Sequence, residues 1–409
     1  MSFAEKLQRL ANITVEIGLN VQPGQQLLIW APIETASFVH AVSRAAYRAG
    51  AEYVDVNWRD DQERRIRYEE APHDSFEIVP EWFYDNAMTH GKRGDALLSI
   101  KTTDPDLLDG IDPDLIQRVQ KASALAYKPI QDLGDLTNWC VVCPPTPAWA
   151  SKVFPTLSTD EAVDKLWNVI FDITRVSNGD PVAAWEDHIA NLNARKSYLN
   201  DRNYTALKYQ GPGTDFTLGL PADHLWKAAR SYNRAGIEYV ANLPTEEVYT
   251  LPDRSRADGV ISSTRPLNHG GVLMDGFSLT FREGRVVEAS AKVGQENLQR
   301  LLQTDEGASR LGEVALVPHS SPISQSGITF FNTLYDENAS SHIALGRAYR
   351  ETMHNGDDMT DAEFMQRGGN DSLIHVDFMV GSNEIDIDGV CSDGSLEPVM
   401  RSGEWAFDV

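Results

Sequence analysis

This sequence contains few cysteines, no long apolar run and no pattern typical of a secretory signal. Its 409 residues include only three cysteines, which suits a reducing compartment better than a disulfide-rich secreted fold. The first residues, Met-Ser-Phe-Ala-Glu-Lys-Leu, lack the basic stretch and apolar stretch of a secretory signal. No apolar run approaches the roughly 18 residues of a membrane span. We therefore expect a cytoplasmic protein that does not cross a membrane.

Basic residues are also in short supply. There are 36 Lys and Arg against 60 Asp and Glu, which gives a formal net charge of −24. Proteins that bind nucleic acid need a Lys- and Arg-rich surface to neutralise phosphates. The charge balance therefore argues against a nucleic-acid partner.

Two common cofactor or redox motifs are absent or incomplete. No G-x-G-x-x-G or G-x-x-x-x-G-K-[ST] pattern follows a predicted strand, so we expect no phosphate-binding loop of either kind. Cys140 and Cys143 form a C-x-x-C, but Val141 and Val142 favour a strand, where positions 140 and 143 face opposite ways. We interpret these cysteines as structural, and a disulfide oxidoreductase stays open as an alternative.

The first half of the chain alternates helices and strands. Strands at 27–30 and 53–58 flank a helix at 34–49, and such a βαβ unit has parallel strands. The other predicted elements of this half are strands at 96–100 and 140–142 and helices at 3–19, 113–122, 162–174 and 181–199. The fold class is thus α/β, with a doubly wound N-terminal domain over residues 1–200.

The second half, residues 201–409, is richer in strands. The predicted strands are 204–209, 215–220, 237–242, 314–317 and 373–380, and a hairpin is predicted over 279–287 with its turn at Glu283-Gly284. Because helices are inserted among these strands, we expect a C-terminal α+β domain, and its polar residues make it the candidate catalytic domain.

The strand at 373–380 carries the first candidate site residues. Its period of two places His375 and Asp377 on one face and apolar residues on the other. An isolated pair of this kind is usually a hydrogen-bonded pair that satisfies a half-buried sheet face. Further metal-binding residues are needed to favour a site.

Three more candidate ligands and one tyrosine come from other segments. Glu247 follows the strand at 237–242, and Glu313 opens the strand at 314–317, so both carboxylates stand at strand ends. We predict a helix from Asn338 or Ser340, which would place His342 and Tyr349 on one face two turns apart, with Gly346 leaving room between them.

The number of donors points to two metal ions. Three carboxylates and two imidazoles exceed the three or so protein ligands of one catalytic zinc, whereas two ions about 3.5–4 Å apart would use them all. Mixed oxygen and nitrogen donors without thiolate favour zinc, cobalt or manganese.

Three stretches then resemble a known family. They are 242–249 (NLPTEEVY), 331–346 (FNTLYDENASSHIALG) and His375-Val376-Asp377, and they are similar to the signatures of the aminopeptidase T/aminopeptidase S metallopeptidases. The similarity extends over the whole chain. By this resemblance the metal ligands are Glu247, Glu313, His342, His375 and Asp377, and the active-site tyrosine is Tyr349. It also implies peptide substrates with a free N-terminus, a homodimer, and an N-terminal α/β domain that restricts access to the site.

The expected reaction is hydrolysis of the N-terminal peptide bond by a metal-activated water in a dinuclear site. Asp377 is the predicted bridging ligand, and Glu247 or Glu313 is the general base if either is not fully used by metal. Tyr349 is expected to stabilise the oxyanion. A metal hydrolase of non-peptide amides and a non-catalytic α/β binding protein remain alternatives.

Overall fold

The computed structural model describes residues 1–102, 104–131, 133, 136–269 and 272–409, without the side chains of residues 83 and 131. The α-helices are α1 Phe3–Ile13, α2 Ala36–Arg48, α3 Asp61–Glu70, α4 Glu81–Arg93, α5 Pro113–Gln131, α6 Pro147–Val153, α7 Thr159–Ile173, α8 Pro181–Arg202, α9 Gln295–Leu302, α10 Pro322–Gln325, α11 Thr333–Glu337 and α12 Asp361–Gln366. A π-helical segment, Thr14–Leu19, continues α1.

The strands of the first half are β1 Gln26–Pro32, β2 Tyr53–Arg59, β3 Ala96–Ile100 and β4 Trp139–Val142. Those of the second half are β5 Ala206–Gly211, β6 Thr214–Gly219, β7 Lys227–Ala228, β8 Arg230–Tyr232, β9 Glu238–Val240, β10 Asn242–Leu243, β11 Val248–Thr250, β12 Ala257–Ser262, β13 Leu267–His269, β14 Val272–Met274, β15 Ser278–Arg282, β16 Arg285–Ser290, β17 Leu311–Leu316, β18 His342–Gly346, β19 His375–Met379, β20 Asp386–Val390, β21 Leu396–Arg401 and β22 Glu404–Trp405.

The chain forms two compact units. One comprises Met1–Ile189 and Ala229–Thr245, and the other comprises Ala190–Ala228 and Glu246–Val409. The units are interleaved along the chain, so a single domain boundary after residue 200 stays a prediction. Among the described residues, no helix is both long enough and apolar enough to span a membrane.

The first unit is built on a parallel sheet of order β10-β4-β3-β1-β2. The predicted βαβ unit is present, since β1 and β2 are parallel and α2 connects them. The buried strands follow from runs such as Leu27-Leu28-Ile29, whose side chains are almost wholly excluded from solvent. The predicted α/β fold class with a parallel N-terminal sheet is confirmed.

The second unit contains an eight-stranded antiparallel sheet and a five-stranded antiparallel sheet of order β19-β18-β17-β11-β7. We call the five-stranded sheet the site sheet, because the candidate residues lie on its strands or beside them. Residues opposite one another on neighbouring strands share a face. Glu313 is opposite Ala344, which is opposite Asp377, and His342 is opposite Ala315.

The other face of the site sheet is apolar core. It is formed by Val248, Val314, Leu316, Ile343, Leu345, Val376 and Phe378, all of which are buried. A slip of one residue in pairing would exchange the two faces and bury the acids in this core. The alternation of apolar and polar residues therefore fixes the register that assembles the candidate site.

The predicted helix over 338–349 is wrong. His342 lies on β18, a central strand whose residues His342–Gly346 are all buried, and Tyr349 follows in extended backbone. A strand covered on both faces reads as a continuous apolar run, which periodicity cannot distinguish from a buried helix. His342 and Tyr349 are consequently presented by a strand and the loop after it.

Gly346 ends β18 in a conformation that requires glycine. Its φ is +102°, and an added Cβ would lie 2.1 Å from the carbonyl oxygen of Ile374. The residue therefore allows β18 and the chain before β19 to approach closely, and it does not serve as a spacer on a helix face.

We predict that Gly346→Ala destabilises the protein more than Gly394→Ala does, measured by urea unfolding. Gly394 also has a positive φ, +84°, but an added Cβ would meet no atom within 4 Å. The control should therefore cost only its backbone strain, about 1–3 kcal/mol, whereas Gly346→Ala adds a steric overlap. Equal losses for the two variants would contradict this account of Gly346.

Candidate metal centre

The two predicted glutamates are held beside neighbouring strands of the site sheet. Glu247 immediately precedes β11, and Glu313 lies within β17. Both are buried. The neighbouring residue Glu246 is buried as well, and its backbone N–H donates to the Asn338 side chain at 2.7 Å. The structure thus fixes the loop that carries Glu247 through a backbone hydrogen bond.

Both histidines are oriented by backbone carbonyls. The Nδ1 atom of His342 lies 2.9 Å from the Glu337 carbonyl oxygen and 3.0 Å from that of Ser340, and Nδ1 of His375 lies 2.7 Å from the Arg347 carbonyl oxygen. Carbonyl oxygens only accept hydrogen bonds, so Nδ1 carries the proton in each ring. In the neutral imidazole, Nε2 is then left with a lone pair, which is the arrangement of histidine ligands to metal.

Each Nε2 atom faces carboxylates. His342 Nε2 lies 3.0 Å from Glu247 Oε2 and 3.6 Å from Glu313 Oε1. His375 Nε2 lies 3.5 Å from Glu313 Oε2 and 3.3 Å from Asp377 Oδ1. The two oxygens of Glu313 therefore point to different imidazoles.

These contacts define two groups that could each hold a cation. Glu247, Glu313 and His342 form one group, and Glu313, His375 and Asp377 form the other; within each, the potential ligand atoms lie within 4.8 Å of one another. All five predicted ligand residues are thus brought together. The carboxylate common to both groups is Glu313, whereas the sequence favoured Asp377 as the bridge.

When no metal ion is present, bound protons offset part of the negative charge of this cluster. Burial opposes the charged form of His375, but Asp377 and Glu313 outweigh it and raise its pKa to about 9. Burial likewise opposes ionisation of Asp377, yet the adjacent His375 lowers the pKa of this carboxyl to about 2. Burial raises the pKa of Glu313 to about 7. The cluster therefore needs positive charge at its centre.

The residues present fit divalent cations. Each group offers one imidazole nitrogen and two carboxylates, a mixed donor set that suits zinc, cobalt or manganese. Asp377 Oδ1 is buried and, despite its 3.3 Å approach to His375, makes no hydrogen bond of good geometry. Ala315 and Ala344 lie between the donors on the same face and are small enough to leave space for ions.

Tyr349 lies at the solvent side of this cluster. Its ring centroid is 4.7 Å from that of His375, and the residue is 37% exposed. Tyr249 of β11 packs edge to face against it at 6.4 Å. The predicted active-site tyrosine is thus adjacent to the second group and open to a molecule arriving from solvent.

Two further residues were missed by the reasoning from residue types and spacing. Glu337 is 8% exposed, and burial raises its pKa well above normal, with Asp377, Glu247 and Glu313 acting in the same direction. Asn338 is fully buried; its side chain accepts from Glu246 N–H and donates to the Leu334 carbonyl at 2.9 Å. The signal was their place in the Asp-Glu-Asn-Ala run, five and four residues before His342.

A buried antiparallel sheet that presents acids and Nδ1-anchored imidazoles around two adjoining positions defines a candidate metalloenzyme of the hydrolytic class. Comparison with known proteins agrees with this class. The family model described as thermophilic metalloprotease (M29) matches residues 3–405. The chain therefore belongs to the M29 family, and it is a metal-dependent aminopeptidase, as its resemblance to the aminopeptidase T/S proteins predicted.

Individual relatives cover essentially the whole chain. Aminopeptidase AmpS of Bacillus subtilis is 46% identical over 408 residues, covering 99% of this chain and 100% of its own. Aminopeptidase T of Thermus thermophilus is 45% identical over 406 residues and covers 99% of each. The solved structure of wild-type AmpT from Thermus thermophilus superposes with a TM-score of 0.92 at 44% identity, covering 99% of this chain and all of its own.

Proposed function

We propose that this chain hydrolyses the N-terminal peptide bond of peptides at a site for two divalent ions. The observation that carries the proposal is the sharing of Glu313 between two groups, each completed by one histidine and one further acid. One group would use Glu247 and His342, and the other His375 and Asp377. When bound, such ions act as Lewis acids and lower the pKa of a water molecule.

Residues of the protein would bind the substrate's amino end and stabilise the oxyanion. A peptide's free α-amine would bind one of the ions or an acidic group of the site. This preference would select the first residue of a peptide over an internal one. Tyr349, a phenol beside His375, would donate a hydrogen bond to the oxygen that becomes negative during cleavage.

The general base must be a carboxylate that is not fully used as a metal ligand. Glu247 and Glu313 each belong to a group that could hold an ion, so either can accept a proton only if it is not fully used as a ligand. Glu337 is buried near the same acids but belongs to neither group. Glu337 is therefore a third candidate beside the two glutamates that the sequence favoured, since bound ions would offset the acids that raise its pKa.

The identity of the ions, the homodimer, the cytoplasmic location and the access-restricting role of the N-terminal domain stay predictions. Zinc, cobalt and manganese all suit the mixed donor set.

We expect the purified protein to release the chromophore from leucine p-nitroanilide and to lose this activity after dialysis against a chelator. Added zinc, cobalt or manganese should restore it, because the activity depends on the ions. The matched control is N-acetyl-leucine p-nitroanilide, which lacks the α-ammonium and should not be cleaved. Equal cleavage of the acetylated and free substrates would refute the aminopeptidase assignment.

We further predict that Glu313→Gln loses both ions, whereas His375→Ala loses one. Glu313 contributes to both groups and His375 to only one. Metal content per chain, measured by mass spectrometry after dialysis in buffered metal, should fall from about two to about zero and about one, respectively. Loss of a single ion from Glu313→Gln would show that this carboxylate does not bridge.

Tyr349→Phe should lower kcat by about 10²–10³-fold while metal content stays at the wild-type value, since the variant removes only a hydrogen-bond donor. His342→Ala serves as the contrasting variant and should deplete metal. If Tyr349→Phe also loses metal in proportion to activity, the tyrosine is chiefly a ligand.

A further inference from the structure

A lysine lies on the same face of the site sheet as the candidate metal ligands. Lys227 of β7 is opposite Tyr249, Tyr249 is opposite Ala315, and Ala315 is opposite His342. These four residues form one row across four strands, and opposite residues share a face. We call this face of the site sheet the functional face. It carries acids and imidazoles at one end and the cationic Lys227 at the other.

The ammonium group of Lys227 stands near other charges of the protein but contacts none of those described directly. Among the described residues it has neither a hydrogen bond nor an ion pair. Its charge acts to lower the pKa of the Glu351 carboxyl and of the Lys196 ammonium. Lys196 differs from Lys227, because its Nζ donates to Asn193 Oδ1 at 2.7 Å. Lys227 is thus available to an anion from outside.

The space between the lysine and the metal ligands is lined by tyrosines. Tyr349 stands 4.7 Å from His375, and Tyr249 stands 6.4 Å from Tyr349. Lys227 is the cross-strand neighbour of Tyr249. Since Tyr349 is open to solvent, a molecule can lie along this aromatic surface from the acid cluster towards the lysine.

The length of this surface corresponds to a short peptide. The strand of Lys227 is two strands away from β17, which carries Glu313, and two strand spacings amount to about 10 Å. An extended chain covers about 3.3–3.6 Å per residue, so three residues span about the same distance.

We propose that Lys227 binds the terminal carboxylate of a short peptide whose amino end lies at the metal centre, and thereby makes di- and tripeptides with a free C-terminus preferred substrates. This inference rests on the proposed function. The charge pattern supports it because the free amine of a short peptide would bind at the metal centre, whereas its terminal carboxylate is an anion that complements Lys227.

The test compares Leu-Gly-Gly with its C-terminal amide, using the metal-loaded enzyme. The two substrates differ only in the terminal charge. A charge-assisted hydrogen bond to the carboxylate should make KM at least about tenfold lower for the acid than for the amide. Lys227→Met should abolish this ratio by raising KM for the acid, and Lys227→Arg should retain most of it.

Lys196→Met is the matched control. It removes one positive charge from the same neighbourhood but not from the functional face, so the ratio of the two KM values should stay as in the wild type. A wild-type enzyme that does not distinguish acid from amide would overturn the proposal. So would a Lys227→Met variant that keeps the wild-type ratio. If the wild-type protein cleaves no leucine p-nitroanilide, the proposed function itself fails.

Discussion

The sharing of Glu313 is the interaction on which the candidate site depends. Each oxygen of this buried carboxylate faces a different imidazole, at 3.6 Å and 3.5 Å. A buried carboxylate is costly unless it is paired with positive charge, so the fold must bring cations, whether protons or metal ions, to both sides. The antiparallel register of β17, β18 and β19 satisfies this requirement by placing an imidazole-bearing strand beside the glutamate.

Much of the fold could be predicted because local sequence patterns indicate its helices and strands. The parallel strands of the first unit are short apolar runs separated by amphipathic helices, and α8 begins at Pro181 after Asp180 as the capping signals indicate. Seven of the described helices were not predicted: α3, α4, α6, α9, α10, α11 and α12. α3 is very polar, with Tyr68 as its only buried residue, so it offers almost no apolar stripe to detect. β18 was misread because it is buried on both faces.

The candidate site could be predicted only in part, because most of its residues come from separate strands. His375 and Asp377 are two residues apart on one strand, so alternation alone places them together. Glu247, Glu313 and His342 come from separate strands, and their proximity depends on pairings between distant segments that no local pattern encodes. Family resemblance supplied that information. Glu337 and Asn338 were overlooked because their roles depend on contacts made after folding, such as the hydrogen bond from Glu246 to Asn338.

The space needed by ions and substrate on the functional face accounts for the small residues within it. Ala315 and Ala344 lie between the donors, where larger side chains would fill the space needed by ions and by the reacting end of a substrate. The larger residues, Tyr249 and Lys227, occupy the part of the row away from the histidines. The face thus changes from the candidate metal ligands on β17, β18 and β19 to Tyr249 on β11 and Lys227 on β7, so a peptide whose amine lies at the metal centre would direct its carboxylate towards the lysine.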